Sequence, residues 1–125
     1  TAPMKTIFIL ALVLALSTAA MVGGYQEVDA KEVQTSPTLK SLLDFGTEQF
    51  IKKATEENKI ADSRLTLTKV NHVYQQVVAG MNYKLDVEYT NSKGQTVFAN
   101  FIVFYQPWTN TKELTSYSVN DKPSF

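Results

Sequence analysis

The chain has 125 residues, of which 44% are hydrophobic and 19% are charged. These proportions are typical of one globular domain and argue against a disordered chain. Twelve basic and twelve acidic side chains give a formal charge of zero. The lysines are scattered, so the sequence lacks the basic patches that bind nucleic acids. Because cysteine is absent, disulfides and a Cys–His nucleophilic pair are excluded, and the hydrophobic core alone must hold the fold.

The first twenty residues have the pattern of a secretory signal peptide. Met4 and Lys5 precede the apolar run 6–16, which is followed by the small residues "STAA". The apolar run is about half as long as the roughly 20 residues that a membrane-spanning helix needs. We therefore predict that residues 1–20 are a signal peptide, with three additional residues before Met4. The domain is expected at residues 21–125 of a secreted protein that has no membrane association after cleavage.

One long amphipathic helix is predicted over residues 37–58. Ser36 is a typical helix N-cap, and Pro37 suits the first helical position because its missing N–H needs no partner there. Apolar or small residues then recur every three or four positions, which places them on one face. They are Leu39, Leu42, Leu43, Gly46, Phe50 and Ala54. A glycine in a helix costs about 1 kcal/mol relative to alanine, so Gly46 predicts that another backbone crosses closely at this position.

Four strands are predicted after the helix, because the apolar residues now recur at every second position. The strands are expected at residues 65–76, 83–89, 97–105 and 114–119. A change of phase near Thr68 and Lys69 indicates a bulge in the first strand. After this bulge, Val70, His72 and Tyr74 are expected to share one face.

The second of these strands alternates most clearly between apolar and polar residues. Its apolar face is formed by Tyr83, Leu85, Val87 and Tyr89, and its polar face by Lys84, Asp86 and Glu88. The polar face is expected to be solvated, since antiparallel sheets commonly expose one face. The next strand is apolar on both faces, which is expected for a strand near the centre of the sheet.

Short connections between the strands predict an antiparallel meander with the helix packed across one face. Alternate turns of a meander lie at the same end of the sheet, so the turn at residues 77–80 should lie beside Pro107 and Trp108. If the segment 25–32 pairs antiparallel with the first long strand, residues 21–24 also arrive at this end. Three apolar or flexible elements would then share one end, as in an exposed interaction surface.

Each of these elements also has an ordinary structural explanation when it is considered alone. The turn "QVVAG" is compatible with a hairpin that neighbouring side chains shield, with the glycine supplying a positive φ. A lone tryptophan is commonly a core residue, and "VGG" at residues 22–24 is typical of a flexible end. Only their joint placement favours an interaction surface.

The sequence contains no arrangement of residues that predicts an enzyme. His72 is the only histidine, and within a predicted strand it is expected to be a packed or solvated residue. No cluster of histidines and carboxylates has the spacing of metal ligands, and no glycine-rich loop follows a strand and opens a helix. We therefore expect no catalytic residues, no cofactor and no metal.

Several motifs resemble those of the cystatins, which are reversible inhibitors of papain-like cysteine proteases. The glycine pair at residues 23–24, "QVVAG" at 76–80 and the Pro-Trp pair at 107–108 occur in the order of the family's three inhibitory elements. "LLDFG", "GMNYKLDVE" and "FIVFYQPW" are similar to the family's helix and to the segments that flank its hairpins. The resemblance covers residues 21–125 and implies an α+β fold, in which a five-stranded antiparallel sheet wraps around one long helix.

The resemblance further implies a tight-binding inhibitor of cathepsin-type proteases, which occludes the active-site cleft with an N-terminal glycine trunk and two hairpin loops. The protease-binding residues that it implies are Met21, Val22, Gly23, Gly24, Gln76, Val77, Val78, Ala79, Gly80, Pro107 and Trp108. The protein is expected to be a monomer, with a domain-swapped dimer as the alternative. The alternative function is that of a non-inhibitory secreted binding protein with the same fold.

Two features bear on the place of the chain within this family. Secreted animal cystatins typically carry two disulfides, whereas this chain has no cysteine, so its branch of the family stays open. Some relatives also inhibit legumain-type proteases through an asparagine beyond the helix. Asn58 lies in this region, but the surrounding loop matches poorly.

Overall fold

The computed structural model describes residues 24–122, so the predicted signal peptide at residues 1–20 lies outside the described part of the chain. Two helices, five strands and one short 3₁₀ helix occur within the described residues. In chain order they are β1 (Gln26–Val28), α1 (Glu32–Thr35), α2 (Pro37–Glu56), β2 (Thr66–Val78), β3 (Gly80–Thr90), β4 (Thr96–Gln106), the 3₁₀ helix (Pro107–Thr109) and β5 (Thr111–Asn120).

The five strands form one antiparallel sheet in sequential order, β1-β2-β3-β4-β5. Helix α2 packs across one face, and the core consists mainly of side chains from α2 and from the inner faces of β2, β3 and β4. This arrangement confirms the predicted α+β fold of a five-stranded antiparallel sheet with one long helix. Among residues 24–122, no helix is both long enough and apolar enough to span a membrane.

The start of helix α2 and its buried face agree with the sequence prediction. The backbone N–H of Leu39 donates to Ser36 Oγ at 3.2 Å, and Pro37 occupies the first helical position. The buried residues of the helix are Leu39, Leu42, Leu43, Gly46, Phe50 and Ala54. The helix ends at Glu56, shortly before the predicted boundary at residue 58, because Asn58 adopts a left-handed conformation with a φ of 58°.

Gly46 makes room for an aromatic ring, which corrects the expectation that a backbone crosses there. A Cβ at Gly46 would lie 2.2 Å from the ring of Phe101 on β4. This ring is fully buried and lies 6.4 Å from the ring of Phe50, which stacks on Tyr89 at 5.5 Å. The glycine therefore allows α2 to pack closely on the aromatic core, and a larger side chain would have to displace Phe101.

Strand β2 contains two irregularities, of which the sequence indicates one. The pairing with β3 shifts between Leu67 and Lys69, which confirms the predicted bulge. A second shift lies between Val70 and His72. It moves His72 to the outer face of the sheet, so that Val73 is the residue buried in the core. The prediction that Val70 and His72 share a face is therefore wrong.

Asp86 lies on the outer face of β3, as predicted, but it is buried rather than solvated. Only 3% of the residue is exposed, and its Oδ1 atom has no hydrogen-bond partner among the described residues. Its neighbours on the adjoining strands are His72 and Asn100. Burial raises the pKa of Asp86, and the charges of Lys84 and His72 partly oppose this shift. The alternating pattern of β3 cannot indicate this burial, because it does not record which residues of β2 and β4 lie beside Asp86.

The N-terminal segment pairs with β2 as predicted, but over fewer residues. β1 is antiparallel to β2, with Gln26 opposite Gln75. The expected pairing over residues 25–32 is interrupted by a turn, in which the backbone N–H of Lys31 donates to Asp29 Oδ1 at 3.0 Å. Helix α1 follows this turn, and the sequence patterns do not predict it.

Candidate functional site

The turn between β2 and β3 is very tight, because only Ala79 separates the two strands. Val78 pairs directly with Gly80, whose φ of 116° is strained for any residue that has a Cβ. A Cβ at Gly80 would also lie 2.8 Å from the carbonyl oxygen of Tyr105 on β4. Both the backbone conformation and the lack of space therefore require glycine at this position.

The side chains of this turn are apolar and face solvent. Val77 is 68% exposed and Val78 is 40% exposed, although Asn, Asp and Ser are the usual residues of solvated turns. Near the base of the turn, Asn82 Nδ2 donates to Gln76 Oε1 at 2.8 Å. This bond links β2 to β3 at the base of the turn, whereas Val77 and Val78 stay exposed.

Pro107 and Trp108 form a second turn, between β4 and β5. Pro107 opens the 3₁₀ helix, for which its fixed φ is suitable. Asn110 ends this helix in a left-handed conformation with a φ of 55°, which asparagine tolerates better than most residues. Trp108 is 68% exposed, so it is not the core residue that a lone tryptophan commonly is.

The sheet brings both turns to the same end, as the predicted meander requires. Gln106, the last residue of β4, donates from Nε2 to the carbonyl oxygen of Ala79 at 2.7 Å. The pairing of Gln26 with Gln75 places the start of β1 near this end as well. This end of the sheet, comprising residues 24–25, 76–80 and 106–108, is termed the apolar end below.

All the predicted site residues that the structure describes belong to the apolar end. The other three, Met21, Val22 and Gly23, lie outside the described residues. Two further residues of this end, Tyr25 and Gln106, are absent from the predicted set. Tyr25 is 40% exposed, and partial burial raises its pKa; its position directly after the glycine pair is the signal that could have indicated it. No sequence signal indicates the contact of Gln106 with Ala79.

The apolar end carries the exposed large hydrophobic side chains of the described chain. They are Tyr25, Val77, Val78 and Trp108. Scattered exposed apolar residues are normal on a protein surface, whereas a group of them at one place marks an interaction surface. Residues 76–80 and 106–108 include no titratable side chain. The two turns can therefore offer apolar contacts and hydrogen bonds to a partner, but they carry no side chain for acid–base chemistry.

The single histidine lies away from this end, on the outer face of the sheet. His72 Nδ1 is 2.7 Å from Glu27 Oε2, and its ring stacks on Tyr74 with 5.7 Å between the centroids. In the described part of the chain, no group of three or more His, Asp or Glu residues could hold a metal ion. A cavity of about 570 Å³ lies between α1, α2 and β2, and no residue of the apolar end lines it. The apolar end is therefore the candidate site.

The architecture that positions this site is also found in solved cystatins. The salivary cystatin of the soft tick Ornithodoros moubata matches with a TM-score of 0.54 and 24% sequence identity. The match covers 78% of this chain and 97% of the tick protein. At this level of identity, the likeness shows a common fold alone.

Sequence comparison shows the family. Cystatin-1 of Ornithodoros moubata is 32% identical over 123 residues, covering 84% of this chain and 88% of that relative. Cysteine proteinase inhibitor 6 of Oryza sativa subsp. japonica is 40% identical over 68 residues, and the chain spans 60% of that relative's length. A family model described as an aspartic acid proteinase inhibitor matches residues 49–119. The chain belongs to the cystatin family.

Proposed function

We propose that this protein is a reversible, tight-binding inhibitor of papain-like cysteine proteases of the cathepsin type. The observation that carries the proposal is the gathering of four exposed large hydrophobic side chains at one end of the sheet, three of them on two turns that a hydrogen bond joins. Membership of the cystatin family supports it, since the relatives include proteins named as cysteine proteinase inhibitors.

The proposed mechanism is occlusion of the active-site cleft. Val77, Val78 and Trp108 enter the leaving-group side of the V-shaped cleft and contact its apolar walls. Because the sheet already orders both turns, little conformational entropy is lost on association, which favours tight binding. Neither turn presents a peptide bond to the catalytic cysteine in a cleavable geometry, so the inhibitor leaves the complex intact.

The N-terminal segment occupies the other side of the cleft in this proposal. Met21 and Val22 extend into the acyl-side pockets, and Gly23 allows the chain to turn between these pockets and β1. Removal of residues 1–20 as a signal peptide would release residues 21–125 as a secreted inhibitor domain and would make this segment available.

A second candidate function is inhibition of aspartic proteases. The family model described as an aspartic acid proteinase inhibitor favours it, because the match over residues 49–119 includes both turns of the apolar end. The names of the relatives refer instead to cysteine proteases. The two candidates therefore differ in the class of protease that the apolar end would meet.

The test is a titration of papain of known active-site concentration with increasing protein, followed with a fluorogenic peptide substrate, and a parallel titration of pepsin. We expect papain activity to fall linearly to zero near one equivalent and pepsin activity to be unchanged. Inhibition of pepsin alone would favour the second candidate. No effect on either enzyme at micromolar protein would favour the non-inhibitory binding protein.

The occlusion mechanism has its own measurement. After prolonged incubation with papain, mass spectrometry of the recovered protein should find both turns uncut. Cleavage within residues 76–80 or 106–108 would mean that the protein binds as a slow substrate, and it would contradict occlusion.

A further inference from the structure

Gln106 joins the two turns of the apolar end through both atoms of its side-chain amide. Its Nε2 atom donates to the carbonyl oxygen of Ala79 at 2.7 Å. Its Oε1 atom accepts from the hydroxyl of Thr109, also at 2.7 Å. One side chain thus bridges the β2–β3 turn and the 3₁₀ helix that carries Trp108.

The carbonyl oxygen of Ala79 fixes the orientation of the Gln106 amide. A carbonyl oxygen only accepts, so Nε2 is the atom of the side chain that faces it. This orientation leaves Oε1 facing the Thr109 hydroxyl, which also lies 2.7 Å from Thr111 Oγ1 and 3.2 Å from the backbone oxygen of Gln106.

The bond from Gln106 holds the turn where the strand ladder no longer does. The pairing of β3 with β4 ends at Met81 and Tyr105, so Ala79 lies beyond it. Close contact at Gly80, where a Cβ would be 2.8 Å from the Tyr105 carbonyl oxygen, brings the turn within reach of the next residue of β4. The side chain of Gln106 therefore continues the attachment of β3 to β4 past the end of the ladder.

We propose that Gln106 is a positioning residue for protease inhibition, which holds the β2–β3 turn at a fixed position relative to Trp108. This inference rests on the proposed function. Without the bond, the two turns would move relative to each other and would have to be ordered on the protease, which weakens binding. Gln106 acts through Ala79 and Thr109 and needs no contact with the protease itself.

Two variants of Gln106 test this role. Gln106→Ala should weaken papain inhibition about three- to tenfold, which is the typical worth of one hydrogen bond. Gln106→Glu keeps the shape of the side chain but turns an oxygen towards the Ala79 carbonyl, and it should weaken inhibition at least as much. Unchanged inhibition by both variants would overturn the proposal.

Gln95 offers a matched control at the opposite end of the sheet. It also lies beside a turn, and its Oε1 atom accepts from Asn91 Nδ2 at 3.0 Å. Gln95→Ala should therefore leave inhibition unchanged. If it weakens inhibition as much as Gln106→Ala does, the effect is a general loss of sheet order and the proposal fails.

A double-mutant cycle separates positioning from direct contact. If Gln106 acts by placing the β2–β3 turn, the loss caused by Gln106→Ala should shrink when Val77→Ala has already removed a contact of that turn. Two losses that simply multiply would mean that Gln106 touches the protease itself.

Thr109→Ser keeps the hydroxyl and should preserve inhibition, whereas Thr109→Ala should weaken it. Thr109 is exposed, so its variants should fold and can test the proposal even if Gln106→Ala fails to fold.

The coupling of the two turns can be measured in the free protein. Backbone NMR order parameters at Ala79 and Gly80 should fall in Gln106→Ala and stay at the wild-type values in Gln95→Ala. Unchanged order parameters in Gln106→Ala would contradict the positioning role. If the wild-type protein does not inhibit papain, the proposed function fails, while a fall in these order parameters would still establish that Gln106 couples the turns.

Discussion

The turns at the two ends of the sheet are stabilised in different ways. At the end opposite the apolar end, residues 91–95 join β3 to β4, and Asn91 Oδ1 accepts from the backbone N–H groups of Lys93 and Gln95 at 2.9 Å each. Gly94 there has a φ of 77°, and a Cβ at this position would meet nothing within 4 Å. At the apolar end, Gly80 has both a positive φ and no space for a Cβ.

This difference indicates that the turn at residues 91–95 serves only to reverse the chain. The turn at residues 91–95 satisfies its own backbone with a polar side chain, as solvated turns commonly do. The turn at Ala79 instead depends on Gln106, the last residue of β4, and its valines are exposed. Within the described chain Val77 and Val78 remain 68% and 40% exposed, and a partner protein that covered them would explain this exposure.

The largest effect expected from this comparison concerns the two glycines. Gly80→Ala should lower the free energy of unfolding by about 3 kcal/mol, because the new Cβ adds a clash with the Tyr105 carbonyl to the backbone strain. Gly94→Ala should cost only about 1 kcal/mol, since it introduces backbone strain alone. Urea unfolding followed by circular dichroism measures both. Equal losses would mean that the lack of space at Gly80 has no consequence.

The second prediction concerns binding. Trp108→Ala should weaken papain inhibition about 30-fold, corresponding to about 2 kcal/mol for an aromatic anchor. Its free energy of unfolding should hardly change, because the ring is 68% exposed. Lys93→Ala, at the opposite end of the sheet, is the control and should leave the inhibition constant unchanged. A Trp108→Ala protein of full potency would remove Trp108 from the site.

The smallest expected effect lies between the two ends, at Asp86. Burial raises the pKa of this carboxyl in the folded state, so the protonated folded form is favoured at low pH. This contribution to stability is lost as pH rises through the raised pKa. Asp86→Asn should therefore raise the free energy of unfolding by about 1 kcal/mol at about pH 7 and by less at about pH 4.

Urea unfolding at these two pH values checks this prediction. Glu113→Gln, which changes an exposed carboxylate on β5, is the control and should have little effect at either pH. The same stabilisation of Asp86→Asn at both pH values would show that the carboxyl does not titrate as expected. Papain inhibition should be unchanged in both variants, because neither residue belongs to the apolar end.

Those parts of the fold that depend on local patterns follow from the sequence. The cap at Ser36 and the buried stripe of α2 are read from residues three or four positions apart, and the alternation of β3 from residues two apart. The second irregularity of β2, between Val70 and His72, does not follow, because a register shift depends on the partner strand. Because the predicted strand lacks this shift, His72 is expected on the same face as Val70, whereas it lies on the opposite face.

The sequence by itself determined the long helix, the four strands that follow it, their order and the two turns that arrive at one end, since a meander with short connections leaves little choice of topology. Only the tertiary structure decided which side chains at that end are exposed and how the turns are joined. The ring of Phe101 over Gly46, the burial of Asp86 and the bond from Gln106 to Ala79 each connect residues more than ten positions apart in the chain. Such contacts are set by strand register and by helix placement, and no local period of the sequence records them.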